Sequence, residues 1–428
     1  MLRIQMICGE LAPYRCHGGL GIAAENLCAQ LVSLGASTEV FFPLLEGSKS
    51  VYSNTSGLNP FPIDMPFDMA NQLDSELAPG LTHFCQKALR SMDRNSNTCF
   101  VAHDNEAAVS VVFGKEQGRQ SIFWMHSLYD HPVRLDFPKS VQRLMSSDSL
   151  LASAINDSCL FVTSGGVLKD ALSIIWPQRL RDTQRAIQEA HGAGKIVIVE
   201  SLGLLKERCL PTQNLNIARK YGLTEKPFVL FPSRPVLSKG IGFIQTVAKV
   251  MRDENLMFVA VGKPSNEIRR MCPNISWIPW LEKHELFALM GQASVIVHPS
   301  LTEGYGLAAA ESAKYNNKVL CHPVGGLHIL TERNLVDEVS ITNEELSGLY
   351  TLWSDLLTTQ NNSEAVRVWH EQSASFKKLT DKWIEALSRK VLECGGSSGT
   401  DQQYGDASWN SITWGETLLT AINKLQPY

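Results

Sequence analysis

The sequence predicts an α/β protein of two doubly wound parallel-sheet domains, and three observations predict it. Short strands rich in β-branched and aromatic residues recur, each followed by a turn and a helix-forming stretch, the pattern of parallel strands joined by crossover helices. Glycines gather where strands give way to helices, as in GGLG at 18–21 and GYG at 304–306. The plan runs through the first half of the chain and starts afresh near residue 206. A length of 428 residues suits two or three domains, each large enough for its own core.

Composition narrows the function classes. Hydrophobic residues make up 44% and charged residues 19%, ordinary for a water-soluble globular chain. A net charge of −4 gives no reason to expect nucleic acid or an anionic membrane surface as partner. The ten cysteines form no Cys-x-x-Cys pair, so they are read as reduced, mostly buried thiols and not as metal ligands or a disulfide framework. The opening LRIQMICGEL lacks the charged, apolar, small-residue pattern of a secretory signal, and no apolar run reaches membrane length. A cytoplasmic location without an integral membrane segment is expected.

Taken in order, Leu2 to Cys8 is a first strand, and GGLG opens the amphipathic helix IAAENLCAQLVSLG, closed by Gly35. TEVFFPLL is the next strand. GGLG does not complete the dinucleotide fingerprint, so nicotinamide binding is not expected. Residues 51–95, with Pro60, Pro62, Pro66 and Pro79, are poorly periodic and read as an excursion lying over the domain. TCFVAHDNEAAVSVVFG gives a strand, His103–Asp104 and a helix, and QSIFWMHSLYDHP a strand ending at His126. Histidines just past strand ends lie on the functional edge of such a sheet. His126 fits a polar strand-end residue as well as a site; for His103 the adjacent Asp and the following helix favour a site. SCLFVTSGGVLKDALSII repeats strand, glycine turn and helix, and GKIVIVESLGLL closes this half.

The second half runs FVLFPSR, a helix from Lys239, LMFVAVGKP, WIPW, a helix, SVIVHPS, the Glu303 turn, the helix LAAAESAKY and KVLCHPVGG. Beyond Glu332 the chain reads as helical and polar. GGSSGTDQQYGD at 395–406 is a loop or linker. The final SWNSITWGETLLTAINKL is an amphipathic helix placed to return to the first domain, with Trp409 and Trp414 packing it down. The expected division is therefore 1–205 with 407–428, then 206–394, with 395–406 between them.

The stretch from His298 to Gly326 carries the chemistry. A strand, a glycine turn and a helix bring free backbone N–H groups and a positive dipole end to one point, which suits a phosphate-bearing ligand. Glu303 on the turn and Glu311 on the helix make poor phosphate ligands but good acceptors for ribose and sugar hydroxyls. Such a unit with two solvated glutamates is common in α/β proteins, so the rest of the chain must add weight. Arg234 and Lys239, after the FVLFPSR strand, supply a guanidinium fork and a mobile ammonium suited to a pyrophosphate. Taken alone they are a pair of surface cations; beside the Glu303 turn they complete a nucleotide-sugar site.

Five motifs in this order resemble the retaining glycosyltransferases of the two-Rossmann-domain type called GT-B, in the group of glycogen and starch synthases and sucrose-synthase-like enzymes. CGELAPYRCHGGLG is similar to the N-terminal motif of glycogen synthases, AHDNEAA to their His-Asp-Trp segment and FPSRPVLSKG to their Arg-x4-Lys-Gly. TEGYGLAAAE resembles their Glu-x7-Glu signature, and HPVGGL the Gly-Gly turn after it. The resemblance spans the chain and implies two Rossmann-like domains facing a deep cleft, with the C-terminal helix crossing back to the first. It implies that Arg234 and Lys239 bind the donor diphosphate and that Glu303 contacts the transferred sugar. The backbone of Gly304, Tyr305, Gly306 and Leu307 would hold phosphate and sugar hydroxyls, and Glu311 the ribose. Gly18, Gly19 and His103 would reach the donor from the first domain, with His103 beside the sugar ring.

What the resemblance implies is hexosyl transfer from a nucleoside-diphosphate sugar to a hydroxyl acceptor, with no metal and no further cofactor. The acceptor would attack from the face the diphosphate leaves; a covalent glycosyl-enzyme is the rival course. The chain departs from glycogen synthases at Cys16, where they carry Lys, at Ile22, where they carry Asp, and at Asn105, where they carry Trp. These departures point to a small-molecule or specialised glycan acceptor ahead of polysaccharide extension. A GT-B epimerase or phosphorylase, and a catalytically silent nucleotide-sugar-binding partner protein, are the other readings. Donor base, sugar and oligomeric state stay open.

Overall fold

The computed structural model describes residues 2–9, 11, 19–45, 58–65, 74–92, 99–104, 107–126, 147–200, 216–264, 266–316, 318–358, 374–394 and 413–425. The chain forms two compact units. One comprises Met1–Leu172, Gln178–Leu204 and Ser411–Tyr428; the other comprises Ser173–Pro177 and Leu205–Asn410. Gly18, the departures at Cys16 and Asn105, the 395–406 linker and Trp409 lie outside the described residues.

The first unit holds β1 (Arg3–Cys8), β2 (Ser37–Leu45), β3 (Leu58–Met65), β4 (Phe100–His103), β5 (Ser121–Trp124), β6 (Leu160–Ser164) and β7 (Ile196–Val199). They form one sheet in the order β3-β2-β1-β4-β5-β6-β7, and every pairing is parallel. Strands such as FVAH and SIFW are buried along their whole length, as parallel strands covered on both faces must be. The winding direction changes between β1 and β4, and ligands of doubly wound sheets bind outside the strand ends at such a point. Cys8 and His103 are register partners there.

One expectation is corrected. Within 51–95 the described parts are not an excursion over the domain: Leu58–Met65 is β3 and Asp74–Ser91 is a helix, while 51–57, 66–73 and 93–95 lie outside the described residues. Pro60 and Pro62 are tolerated because β3 is an edge strand, where missing N–H donors leave no gap in a ladder, while Pro79 falls within the helix Asp74–Ser91 and Pro66 lies outside the described residues.

The second unit holds β8 (Phe228–Phe231), β9 (Met257–Val261), β10 (Ser276–Ile278), β11 (Val295–His298), β12 (Val319–Cys321) and β13 (Asp337–Glu338). Their order is β10-β9-β8-β11-β12-β13, again all parallel, with the winding change between β8 and β11. The chain after Glu332 thus adds a two-residue edge strand before the helices Asn343–Thr358 and Ala374–Cys394. The helix expected from Lys239 begins at Ile241, because Leu237–Lys239 forms a tight 3-10 turn and Gly240 adopts φ 82°.

The helix Trp414–Leu425 packs on the helix Gly19–Ser33 within the first unit. Gly415 allows the approach: a Cβ there would stand 2.9 Å from Gln30 Cβ, and its N–H donates to Gln30 Oε1 at 2.9 Å. Trp414 is fully buried and donates its indole N–H to the Glu200 carbonyl. Removing a buried tryptophan costs about 3–5 kcal/mol, so this helix is integral to the unit.

Candidate functional site

In the second unit the residues singled out from sequence stand on both sides of the β8/β11 winding change. Arg234 and Lys239 follow β8, and Glu303 follows β11. The two loops are joined at close range. A Cβ on Gly240 would land on the Pro299 carbonyl oxygen, so only glycine lets the Lys239 turn lie against the chain leaving β11. The Leu301 N–H then donates to the Ser238 carbonyl at 2.9 Å.

This approach sets Lys239 Nζ 2.6 Å from Glu303 Oε1, while the Ser300 hydroxyl donates to Glu303 Oε2 at 2.9 Å. Burial works against the Glu303 carboxylate. The charge and hydrogen bond of Lys239, with the Ser300 hydroxyl, outweigh that and hold its carboxyl below the usual range. Arg234 is exposed in the same loop, between β8 and the 3-10 turn.

The Glu303 turn ends at Gly306, whose φ of 69° caps the helix Leu307–Tyr315. Gly306 has no side chain to cap that helix end, and first-turn N–H groups with their dipole are the kind of feature that suits a phosphate. Tyr305 is buried with its side chain in the core, which leaves its backbone as the part facing the turn. Glu311 stands on the same helix with Lys283 Nζ 3.0 Å from its Oε1. The Gly-Gly turn belongs here too. A Cβ on Gly325 would fall on the Glu303 carbonyl oxygen, and the Gly326 N–H donates to the Gly304 carbonyl at 2.6 Å.

Two buried histidines support the turn. His298 lies between Ser233 Oγ at 3.3 Å and Ser312 Oγ at 2.9 Å, and burial lowers its pKa to about 4. His322 lies between the Ser300 carbonyl at 3.1 Å and the indole N–H of Trp383 at 2.6 Å, and burial lowers its pKa to about 4 as well. Sequence reasoning missed both roles, since their partners lie far along the chain. It also missed Trp280, 68% exposed just past β10, whose ring borders Gly262 beside Pro235. The available signal was the second tryptophan of WIPW, standing after a strand at the sheet's carboxyl edge.

In the first unit His103 ends β4 and is fully buried. Its Nδ1 lies 3.1 Å from Cys8 Sγ and its Nε2 2.8 Å from His126 Nε2, so both ring nitrogens are engaged. Burial lowers the His103 pKa to about 3, and burial with His103 alongside lowers that of His126 well below its ordinary value. Asp104 adopts φ 71° and accepts the His126 N–H at 3.1 Å, and Trp124 stacks on the His126 ring. His126 is therefore a partner of His103 within a buried aromatic cluster. Gly19 begins the first helix of this unit. Among the described residues no group of three or more His, Cys, Asp and Glu side chains is placed to hold a metal ion. No helix among them is long and apolar enough to cross a membrane.

Comparison with known proteins bears on the second unit first. Residues 226–357 match the family described as glycosyl transferases group 1. No curated protein sequence matches the chain. Among solved structures, the catalytic domain of starch synthase IV from Arabidopsis thaliana, bound to ADP and acarbose, is similar with a TM-score of 0.56 at 13% identity, covering 91% of this chain and 99% of that one. Sucrose-phosphate synthase from Thermosynechococcus elongatus is similar with a TM-score of 0.55 at 15% identity, over 91% and 100%. The E. coli trehalose-6-phosphate protein bound with UDP-2-fluoro glucose is similar with a TM-score of 0.54 at 12% identity, over 91% and 99%. At these identities the likeness is one of fold, and the fold is GT-B.

Proposed function

From a GT-B chain whose residues 226–357 form a glycosyl transferases group 1 domain, we infer a retaining glycosyltransferase that moves a hexosyl group from a nucleoside-diphosphate sugar to a hydroxyl acceptor. The observation that carries this reading is the Lys239–Glu303 pair, 2.6 Å apart before a helix whose N-cap residue is glycine. Breaking a glycosyl–phosphate bond develops positive charge on the sugar ring and negative charge on the departing diphosphate. A fixed carboxylate and ammonium side by side complement that charge separation, and preorganised charges of this kind act on the transition state.

In this reading Arg234 and Lys239 take the diphosphate, together with the N–H groups of the Leu307–Tyr315 helix. Glu303 faces the sugar and Glu311 the ribose hydroxyls. These cations and amides neutralise the leaving group without a metal. A phosphate oxygen on its way out can accept the acceptor's proton, so attack from the leaving-group face keeps the anomeric configuration. Trp280 offers an exposed ring on which a nucleobase can stack. Two of the fold's neighbours were solved with ADP and with UDP-2-fluoro glucose, which supports a donor of this class. The acceptor is taken to be a small molecule or specialised glycan.

The test is a thermal-shift panel of UDP, ADP, GDP and their hexose conjugates, followed by assay of nucleotide release. A ligand that binds only the folded state raises Tm, about 2.7 kcal/mol of stabilisation at 100 times Kd. One nucleotide family should shift Tm and its sugar conjugate should turn over. A shift without turnover, with every acceptor class tried, supports the silent binding partner instead; no shift from any nucleotide overturns the reading.

A further inference from the structure

The Ser300–Leu301 peptide is fixed at both ends. Its carbonyl faces His322 Nδ1 at 3.1 Å, and its N–H donates to the Ser238 carbonyl at 2.9 Å. Ser238 is next to Lys239 in the chain, and the hydroxyl of Ser300 holds Glu303. This one peptide therefore sets the positions of both members of the Lys239–Glu303 pair.

What holds the peptide is an imidazole with only one workable protonation. A carbonyl can only accept, so His322 Nδ1 must carry the proton. An indole N–H can only donate, so His322 Nε2 must present its lone pair to Trp383 at 2.6 Å. Protonating Nε2 would set N–H against N–H in a fully buried place. Phe243 meets both rings edge-on, at 5.4 Å from His322 and 6.2 Å from Trp383. Trp383 comes from the helix Ala374–Cys394, 61 residues beyond His322.

We propose that Trp383 and His322 are positioning residues for the Lys239–Glu303 pair, with the Trp383 indole N–H fixing the His322 tautomer that holds the Ser300 peptide. The proposal rests on the glycosyltransferase reading for its effect on turnover, but its structural part stands apart from that reading. Packing alone would ask only for an aromatic ring at 383 and a flat ring at 322; the relay asks for a donor at each.

Two measurements test it. The first is turnover, followed as release of UDP from UDP-glucose and ADP from ADP-glucose. Trp383→Phe keeps the ring and loses the donor, and kcat should fall on the order of 10- to 100-fold with the donor KM little changed. His322→Asn, whose amide can donate to the Ser300 carbonyl without any tautomer, should keep most of the activity that His322→Leu loses. In the His322→Asn background Trp383→Phe should then cost no further turnover. Equal damage from His322→Asn and His322→Leu, or an undiminished effect of Trp383→Phe in that background, would overturn the proposal. The second measurement is a Tm cycle of Trp383→Phe with Glu303→Gln, which needs no activity. The double variant should lose less Tm than the sum of the singles, and strict additivity would overturn the relay. A wild type that releases neither nucleotide counts against the functional reading alone, and the Tm cycle then decides the relay.

Discussion

Gly325 lies directly over the carbonyl oxygen of Glu303, so close that any side chain at 325 would occupy the oxygen's place. Its φ of 51° adds the cost of a left-handed backbone, roughly 1–2 kcal/mol for an L-residue. Gly325→Ala should therefore push the Glu303 turn away from Lys239, lowering Tm by a few degrees, about 2–4 °C per kcal/mol. Nucleotide-sugar turnover should fall further than this loss of stability explains. Calorimetry beside an assay at a temperature where the variant is folded separates the two effects.

Removing the cation at 239 should strike turnover most. Lys239→Met should lower kcat on the order of 100-fold or more, the scale of losing one charge-stabilising group. It also leaves a partly buried carboxylate with the Ser300 hydroxyl as its remaining described donor, at a cost of about 1–3 kcal/mol. Adding Glu303→Gln to Lys239→Met should restore Tm toward wild type without restoring turnover. A double variant less stable than Lys239→Met would show that the pair does not account for the loss.

Acid should unfold this protein through its histidines. His298 and His322 hold folded pKa values of about 4, against 6.5 for an unperturbed imidazole. Between those values the unfolded chain binds protons that the folded chain refuses, so stability falls as pH drops from 6.5 toward 4. His103, lowered to about 3, extends the same trend. The depressed Glu303 carboxyl acts in the same direction, its contribution lost as pH falls through its lowered value. Urea midpoints from pH 7 to pH 4 should decline, and the decline should be shallower in His322→Asn.

At Glu311 the expected effect is on affinity. Glu311→Ala should raise the donor Kd by about 10- to 100-fold, the worth of hydrogen bonds to a charged group, while saturating turnover changes little. The nearby Lys283, 3.0 Å away, would lose its partner but stays partly exposed, so Tm should hardly move. Titration calorimetry with the nucleoside diphosphate alone reads this directly; an unchanged Kd would remove Glu311 from the ribose.

Trp280 makes the opposite contrast to the buried tryptophans. Because it is 68% exposed, Trp280→Ala should leave Tm where it is. Base stacking on an aromatic ring is worth about 1–3 kcal/mol, so nucleotide affinity should fall roughly 5- to 100-fold. Quenching of tryptophan fluorescence by ADP or UDP in the wild type, and its loss in the variant, would tie the effect to this ring.

The parallel sheets were legible because their strands are short and apolar on both faces, and glycine marks several of the turns where a strand gives way to a helix, as at 304–306. The Glu303 turn could be read as a site because strand, glycine and helix are contiguous in sequence. β3 was not legible, since proline normally signals a break and only the edge position excuses Pro60 and Pro62. β13 has two residues and too short a pattern to detect. The pairings were hidden for a different reason: Lys239 meets Glu303 across 64 residues, and His322 meets Trp383 across 61. Such contacts follow from how the strands are ordered, which no local pattern encodes. Asp104 likewise gave no sign that its backbone would turn left-handed to receive the His126 N–H.

The prolines of β3 have a consequence for the protein in company. A sheet ending in an ordinary strand offers its unpaired N–H and C=O groups to any extended segment that drifts past, and such templates seed aggregates. At the far side of β2 the described sheet ends in a strand with proline at 60 and 62, two places where no donor exists to offer. A visiting strand could not complete its ladder there. The irregularity that disguises β3 in the sequence is thus a guard on the border of the sheet, and Pro60→Val with Pro62→Val should make the chain stickier while leaving its chemistry alone.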